Sequence, residues 1–307
     1  MANLGIFYSN LATVGLIIVL GFILGRTKFM SAETNKHLIN ILLAVAWPCA
    51  IFAAFPQEFD QARLSEFLFG LLGGVVVLTA MLVLSRLIFN KKIFKTAMSY
   101  EGQFAFIFNN ASFLGYPLVM ATFGQKAMLT YCGFILIFNL VLFSYGVFLF
   151  ERKVTKRLVK DVVYNPCIIA VLLGTAFFVF SLKLPTFVNA SIGYLGALMT
   201  PLSLICIGYM LSRARFKKLF KRWKLFIVAL LQLLLGPVVT YFVLLALGVP
   251  AEVRSVLVLL QALPTATSLG LFAEKYGGDA VESSELVAIS TLMSVITLPI
   301  MILLLIA

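Results

Sequence analysis

The chain has 307 residues, of which 62% are hydrophobic and 12% charged, with a mean hydropathy of +1.07. A soluble domain of this length cannot hide so much apolar surface, and apolar runs of about 20 residues match a roughly 30 Å hydrocarbon core, whereas barrel strands would be short and alternating. The formal charge of +12 is spread over short loops between those runs, so it reads as a topology signal and not as a nucleic-acid patch.

Ten helical spans are expected, roughly at 5–25, 37–54, 65–89, 101–124, 128–150, 165–182, 187–211, 223–248, 254–276 and 284–306. Residues 1–4 carry no basic group ahead of the first run, which is long enough to span, so it is expected to be a span and not a cleavable leader. The loops 26–36, 86–100, 151–164, 212–222 and 275–283, with their flanks, hold 20 of the 24 Lys and Arg. The opposite loops hold only Arg63, Lys126, Lys183 and Arg254. The positive-inside rule puts the basic loops in the cytoplasm and both termini outside a cytoplasmic membrane. The densest basic run, "RARFKKLFKRWK" at 213–224, is expected to fix topology, with anionic lipid headgroups as its other reading.

The basic loop 151–164 divides the chain into two sets of five spans, 1–151 and 164–307. An odd number per half inverts the second half, the plan of many secondary transporters. The prolines follow that plan. Span 2 carries "AWPCAIF" and span 7 "MTPLSLI", which makes Pro48 and Pro201 equivalent. Span 4 carries "NNASFLGYP" and span 9 "QALPTATS", which makes Pro117 and Pro264 equivalent.

Both of the latter prolines fall near the bilayer midplane. Pro117 lacks an N–H and pushes Tyr116 away from helical geometry, and Gly115 eases an unwound turn. Backbone groups freed in hydrocarbon must face protein or a cavity. Asn109, Asn110 and Ser112 could partner them in span 4, and Gln261, Thr265, Thr267 and Ser268 in span 9. The second half-helices are expected to start at or just after the prolines. Their two N-termini would then face each other from opposite directions, each with free N–H donors and about half a positive charge. Such a pair is an anion site without any Lys or Arg, and a carboxylate suits it.

None of the twelve Asp and Glu lies near the centre of a span, and the single His37 sits at the start of span 2. This removes the intramembrane proteases and the zinc-dependent enzymes. The chain is expected to be no enzyme and to hold no cofactor or metal. A coupling ion, of unknown identity, would have to use neutral oxygens. Cys49, Cys132, Cys167 and Cys206 lie singly inside apolar runs and read as packing residues.

At these motifs the sequence resembles bacterial members of the auxin efflux carrier family, a group with plant auxin exporters and malate- or malonate-type permeases. Asn110, Gly115 and Pro117 match the family's span-4 pattern, and Gln261, Pro264, Phe272, Ala273 and Tyr276 its span-9 pattern. "LINILLAVAWP" and "ITLPI" match more loosely. The plant pattern has Thr where this chain has Ala111, and an acid in span 3 that has no counterpart here.

The resemblance implies a fold similar to bile acid/sodium symporters, with spans 4 and 9 crossing. It implies a scaffold of 1–54 and 165–211, an elevator-like transport domain of 65–150 and 223–306, and a homodimer formed through the scaffold. The expected function is a carrier for small organic anions such as mono- or dicarboxylates. Asn110, Ser112, Gly115, Tyr116, Pro117, Gln261, Pro264 and Thr265 are the candidate substrate-binding residues. A passive anion channel and a Na+- or H+-coupled uptake symporter remain as alternatives.

Overall fold

The computed structural model describes residues 4–55, 58–89, 96–151, 160, 162–213, 222–276 and 278–306. Much of the basic loops, including Lys91, Lys92, Lys95, Arg152, Lys153, Lys156, Arg157, Arg215, Lys217, Lys218 and Lys221, lies outside them. The described residues are helical throughout, with one isolated two-residue β-bridge and no strand.

The apolar stretches form α1 (Leu4–Arg26), α2a and α2b (Ala32–Ile41, Trp47–Ala53), α3 (Gln61–Ile88), α4a and α4b (Thr96–Ile107, Tyr116–Phe123), and α5 (Met128–Val141, continuing to Glu151). They go on with α6 (Pro166–Val179), α7a and α7b (Thr186–Ala197, Met199–Arg213), α8a and α8b (Trp223–Leu230, Gly236–Ala246), α9a and α9b (Ala251–Gln261, Ser268–Tyr276), and α10 (Ala280–Leu305). Six continuous helical stretches among the described residues are long and apolar enough to cross a membrane: Ala32–Ala53, Gln61–Ile88, Gln125–Glu151, Thr186–Arg213, Trp223–Ala246 and Ala280–Leu305. Ala12–Arg26, Ala111–Phe123 and Pro166–Val179 are shorter apolar helices.

Three prolines are absorbed without breaking their helices. Each follows a single π turn that ends two residues earlier: Leu42–Ala46 before Pro48, Ala111–Gly115 before Pro117, and Leu231–Leu235 before Pro237. A proline ring crowds the carbonyl four residues back and cannot hydrogen-bond to it. Widening the turn by one residue moves that carbonyl aside. Pro299 sits inside α10.

Two helix pairs approach at backbone distance. In α3 and α5, a Cβ on Gly70 would run into the Thr130 carbonyl, and one on Gly133 into the Phe67 carbonyl. In α1 and α7b, Gly21 meets the backbone of Ile205, and Gly208 that of Ile18 and Phe22. Lipid provides little hydrophobic drive between helices, so close van der Waals packing over small residues holds them. Around these pairs, α7 packs on α1 and α2b, and α6 on α2b; α3, α5, α8, α9b and α10 lie against α4a, while α4b lies against α1 and α7b as well as α5 and α9a.

Candidate functional site: the α4–α9 crossover

The two broken helices meet at their breaks. The Asn110 N–H donates to the Pro264 carbonyl at 2.7 Å, and the Ala266 N–H donates to the Phe108 carbonyl at 2.9 Å. These two bonds flank an antiparallel bridge between Asn109 and Thr265. Each segment thus supplies the backbone partners that the other lost on leaving its helix, the condition for irregular backbone at membrane depth. In this pattern Asn109 and Thr265 are the directly opposed pair.

The half-helices do not begin where the prolines predict. In span 4 the helix resumes at Ala111, six residues before Pro117, and the break is centred on Asn109 and Asn110. Asn110 is the cap: its Oδ1 accepts from the Phe113 N–H at 3.3 Å, and its carbonyl accepts from the N–H groups of both Leu114 and Gly115. That double bond is the π turn, and it carries Pro117 inside a continuous helix. In span 9 Pro264 lies in the break itself, and the helix resumes at Ser268. Proline alone predicts a break in both places; in span 4 the break falls at the Asn cap instead, because a π turn accommodates the ring.

The crossover brings most of the sequence candidates together. Asn110 and Pro264 share a hydrogen bond, and Thr265 is bridged to Asn109. Gly115 lies against α9, where a Cβ would sit 3.0 Å from Leu260 Cδ2 and 3.2 Å from Leu263 Cδ1. Gln261, at the end of α9a, is buried. Ser112 is half-buried in the π turn. Tyr116 does not join the bridge: its ring lies edge-on to that of Tyr131, 5.8 Å between centroids.

Three further side chains take part that the motifs do not mark. The Thr265 N–H donates to Ser290 Oγ of α10 at 3.2 Å, and Thr265 Oγ1 reaches Gln232 Oε1 of span 8 at 3.5 Å. Gln232 Nε2 in turn donates to the Leu263 carbonyl. Tyr131 of α5 donates to the Ala111 carbonyl. Gln232 had a legible signal, a lone amide in an apolar run five residues before Pro237. Ser290 and Tyr131 had none.

Several polar groups at the crossover are buried without a partner. Asn109, Asn110 and Gln261 are 1%, 3% and 1% exposed. Asn109 Nδ2 and Oδ1, Asn110 Nδ2 and Gln261 Nε2 make no hydrogen bond. The Asn110 amide is oriented by its cap, since Oδ1 takes the Phe113 N–H and leaves the nitrogen free. Glu101 is the one fully buried carboxylate residue among the described residues, and it lies away from the crossover, accepting from the Asp279 N–H. The site therefore offers unused neutral donors next to helix N-termini and no charged side chain.

A family model described as membrane transport protein matches residues 6–302. An uncharacterized transporter of Methanocaldococcus jannaschii is 23% identical over 292 residues, covering 92% of this chain and 94% of its own. One of Methanothermobacter thermautotrophicus is 25% identical over 292 residues, covering 94% of each chain. A Rhizobium meliloti protein named "Putative malonate transporter" is 23% identical over 293 residues, covering 92% of this chain and 90% of its own. The helices, the paired breaks and a match over almost the whole length agree: the chain belongs to the membrane transport protein family, that of the auxin efflux carriers, and is a membrane transporter and not an enzyme.

Proposed function

We propose that the protein is a carrier for small organic anions, with mono- and dicarboxylates of malonate size as its substrate class. The observation that carries this reading is the set of free, buried amide nitrogens of Asn109, Asn110 and Gln261 at the crossover. A buried donor left unpaired costs about 1–3 kcal/mol, and a carboxylate recovers that while interacting with the half-helix N-termini. Asn110 and the turn of residues 111–113 hold the carboxylate, with Gln261 and Thr265 as second contacts. The name of the Rhizobium relative agrees with this class.

The proposal includes ten spans in two inverted halves, both termini outside the cytoplasmic membrane, and the elevator division of 1–54 with 165–211 against 65–150 with 223–306. The packing of α7 on α1 and α2b, and of α6 on α2b, supports that division. It also includes a homodimer formed through the scaffold and anionic lipid at the basic loops. Burial of the crossover amides favours a carrier over an open channel, since a channel wets its path continuously.

Purified protein in liposomes tests the function. Labelled malonate should enter with saturation, and unlabelled malonate preloaded inside should accelerate that entry. Single-channel current in place of counterflow would exclude the carrier, and transport of cations or neutral solutes alone would exclude the substrate class.

A further inference from the structure

A chain of hydrogen bonds joins the crossover to the helices outside its bundle. In a regular helix the Gly115 N–H would donate to the Ala111 carbonyl. Here it donates to Asn110 O at 3.0 Å instead, and the Tyr131 hydroxyl donates to the Ala111 carbonyl at 3.1 Å in its place. A phenol has one proton and two lone pairs. With the proton committed to Ala111, a lone pair accepts from Trp47 Nε1 of α2b at 3.2 Å. Trp47, Tyr131 and Ala111 are 4%, 0% and 0% exposed. The indole is a donor only, so the chain has a single direction, Trp47 to Tyr131 to Ala111.

We propose that Tyr131 is a positioning residue for the substrate site and that Trp47 is the scaffold's catch on it. This inference rests on the elevator reading above. The Tyr131–Ala111 bond lies within the transport domain and travels with it, holding the first turn after Asn110 in shape. The Trp47–Tyr131 bond crosses the domain boundary and has to break each time the domain moves. The same boundary is crossed by Asn10 Nδ2 donating to the Ala121 carbonyl, by Gln125 Nε2 donating to the Ala53 carbonyl at 3.4 Å, and by Cys132 Sγ donating to the Ile51 carbonyl at 3.9 Å. The first two lie at the ends of α4b and α2b and the third is a weak thiol contact, whereas the Trp47 bond ends on the residue that holds the Ala111 carbonyl.

The two bonds separate kinetically. Trp47→Phe removes the catch and leaves the Tyr131–Ala111 bond in place. It should change the maximal malonate uptake rate about 2- to 10-fold, the range of one hydrogen bond, with KM unchanged. Tyr131→Phe removes both bonds and frees the turn after Asn110, so it should also raise KM. Adding Trp47→Phe to Tyr131→Phe should change the rate no further. The catch is refuted if Trp47→Phe leaves the rate unaltered, or raises KM as much as Tyr131→Phe does. Size-exclusion elution and thermal midpoint identify misfolded protein. Were Trp47→Phe to misfold, Trp47→Met, which fills the space without a donor, would take its place under the same criteria.

A second measurement separates this inference from its premise. Ala53→Cys with Gln125→Cys, bridged by a short reducible bis-thiosulfonate linker, ties the two domains at an exposed contact. Uptake should stop on cross-linking and return on reduction, with either single variant unaffected. Full uptake while cross-linked would overturn the elevator premise and the catch with it. Arrest by the cross-link together with a Trp47→Phe variant of unaltered rate would overturn the catch alone.

Discussion

Asn110 does two jobs that substitution can separate. Its Oδ1 caps the half-helix through the Phe113 N–H, and its Nδ2 is free. Loss of an Asn cap typically costs about 1 kcal/mol of stability, and the backbone bond from Asn110 N to Pro264 O survives any side-chain change. Asn110→Ala should therefore lower the thermal midpoint modestly and remain folded. The binding loss is larger. A hydrogen bond to a charged group is worth about 1.5–3 kcal/mol, which is roughly 10- to 150-fold in Kd. Asn110→Asp keeps the cap, since Asp serves that position as well as Asn, but places a carboxylate where the substrate's would sit. It should hold stability better than Asn110→Ala and bind malonate less well. The assay is the malonate-induced thermal shift of purified protein, which rises with the ratio of ligand concentration to Kd, paired with uptake in liposomes. A wild-type malonate shift in Asn110→Ala would refute the assignment, as would a binding loss that merely follows the unfolded fraction in both variants.

Asn109 holds two buried polar atoms without partners. Asn109→Leu removes them with a side chain of the same branching, so the ligand-free thermal midpoint should stay level or rise while malonate uptake falls; a clear drop in midpoint would mean the amide is partnered or the larger side chain does not fit. Gly133→Ala drives a Cβ into the Phe67 carbonyl of α3. Because backbone cannot step aside as a side chain does, it should cut the yield of monodisperse protein sharply. Gly115→Ala, which meets only the flexible ends of Leu260 and Leu263, should cost about 1 kcal/mol or less. Equal yields for these two variants would contradict the backbone-contact argument.

The apolar runs were legible because burial in lipid demands about 20 consecutive apolar residues whatever the tertiary arrangement; apart from the breaks at 108–110 and 262–267, the runs expected from the sequence are largely helical among the described residues. The pairing of "NNASFLGYP" with "QALPTATS" was legible for a related reason. Asn, Gly, Ser and Pro are costly inside an apolar helix, so two such clusters at matching positions mark two interruptions. The position of the span-4 interruption was not legible, because proline alone does not say whether a helix breaks or widens. Pro117 and Pro264 have the same chemistry, yet one lies inside a helix behind a π turn and the other lies in a break. The choice followed from what each backbone could reach: Asn110 and Ala266 found carbonyls on the opposite broken helix. The partners of the crossover were also out of reach of sequence. Ser290, Gln232, Tyr131 and Trp47 are separated from the atoms they serve by 20 to 84 positions, and each is an ordinary residue in its own helix. By itself the sequence determined which segments are helical and which two could not stay unbroken, since those follow from local composition and the demands of lipid. Only the tertiary structure decided which donors remain free, because a hydrogen bond is satisfied or left open by atoms that are brought near, and not by neighbours in the chain.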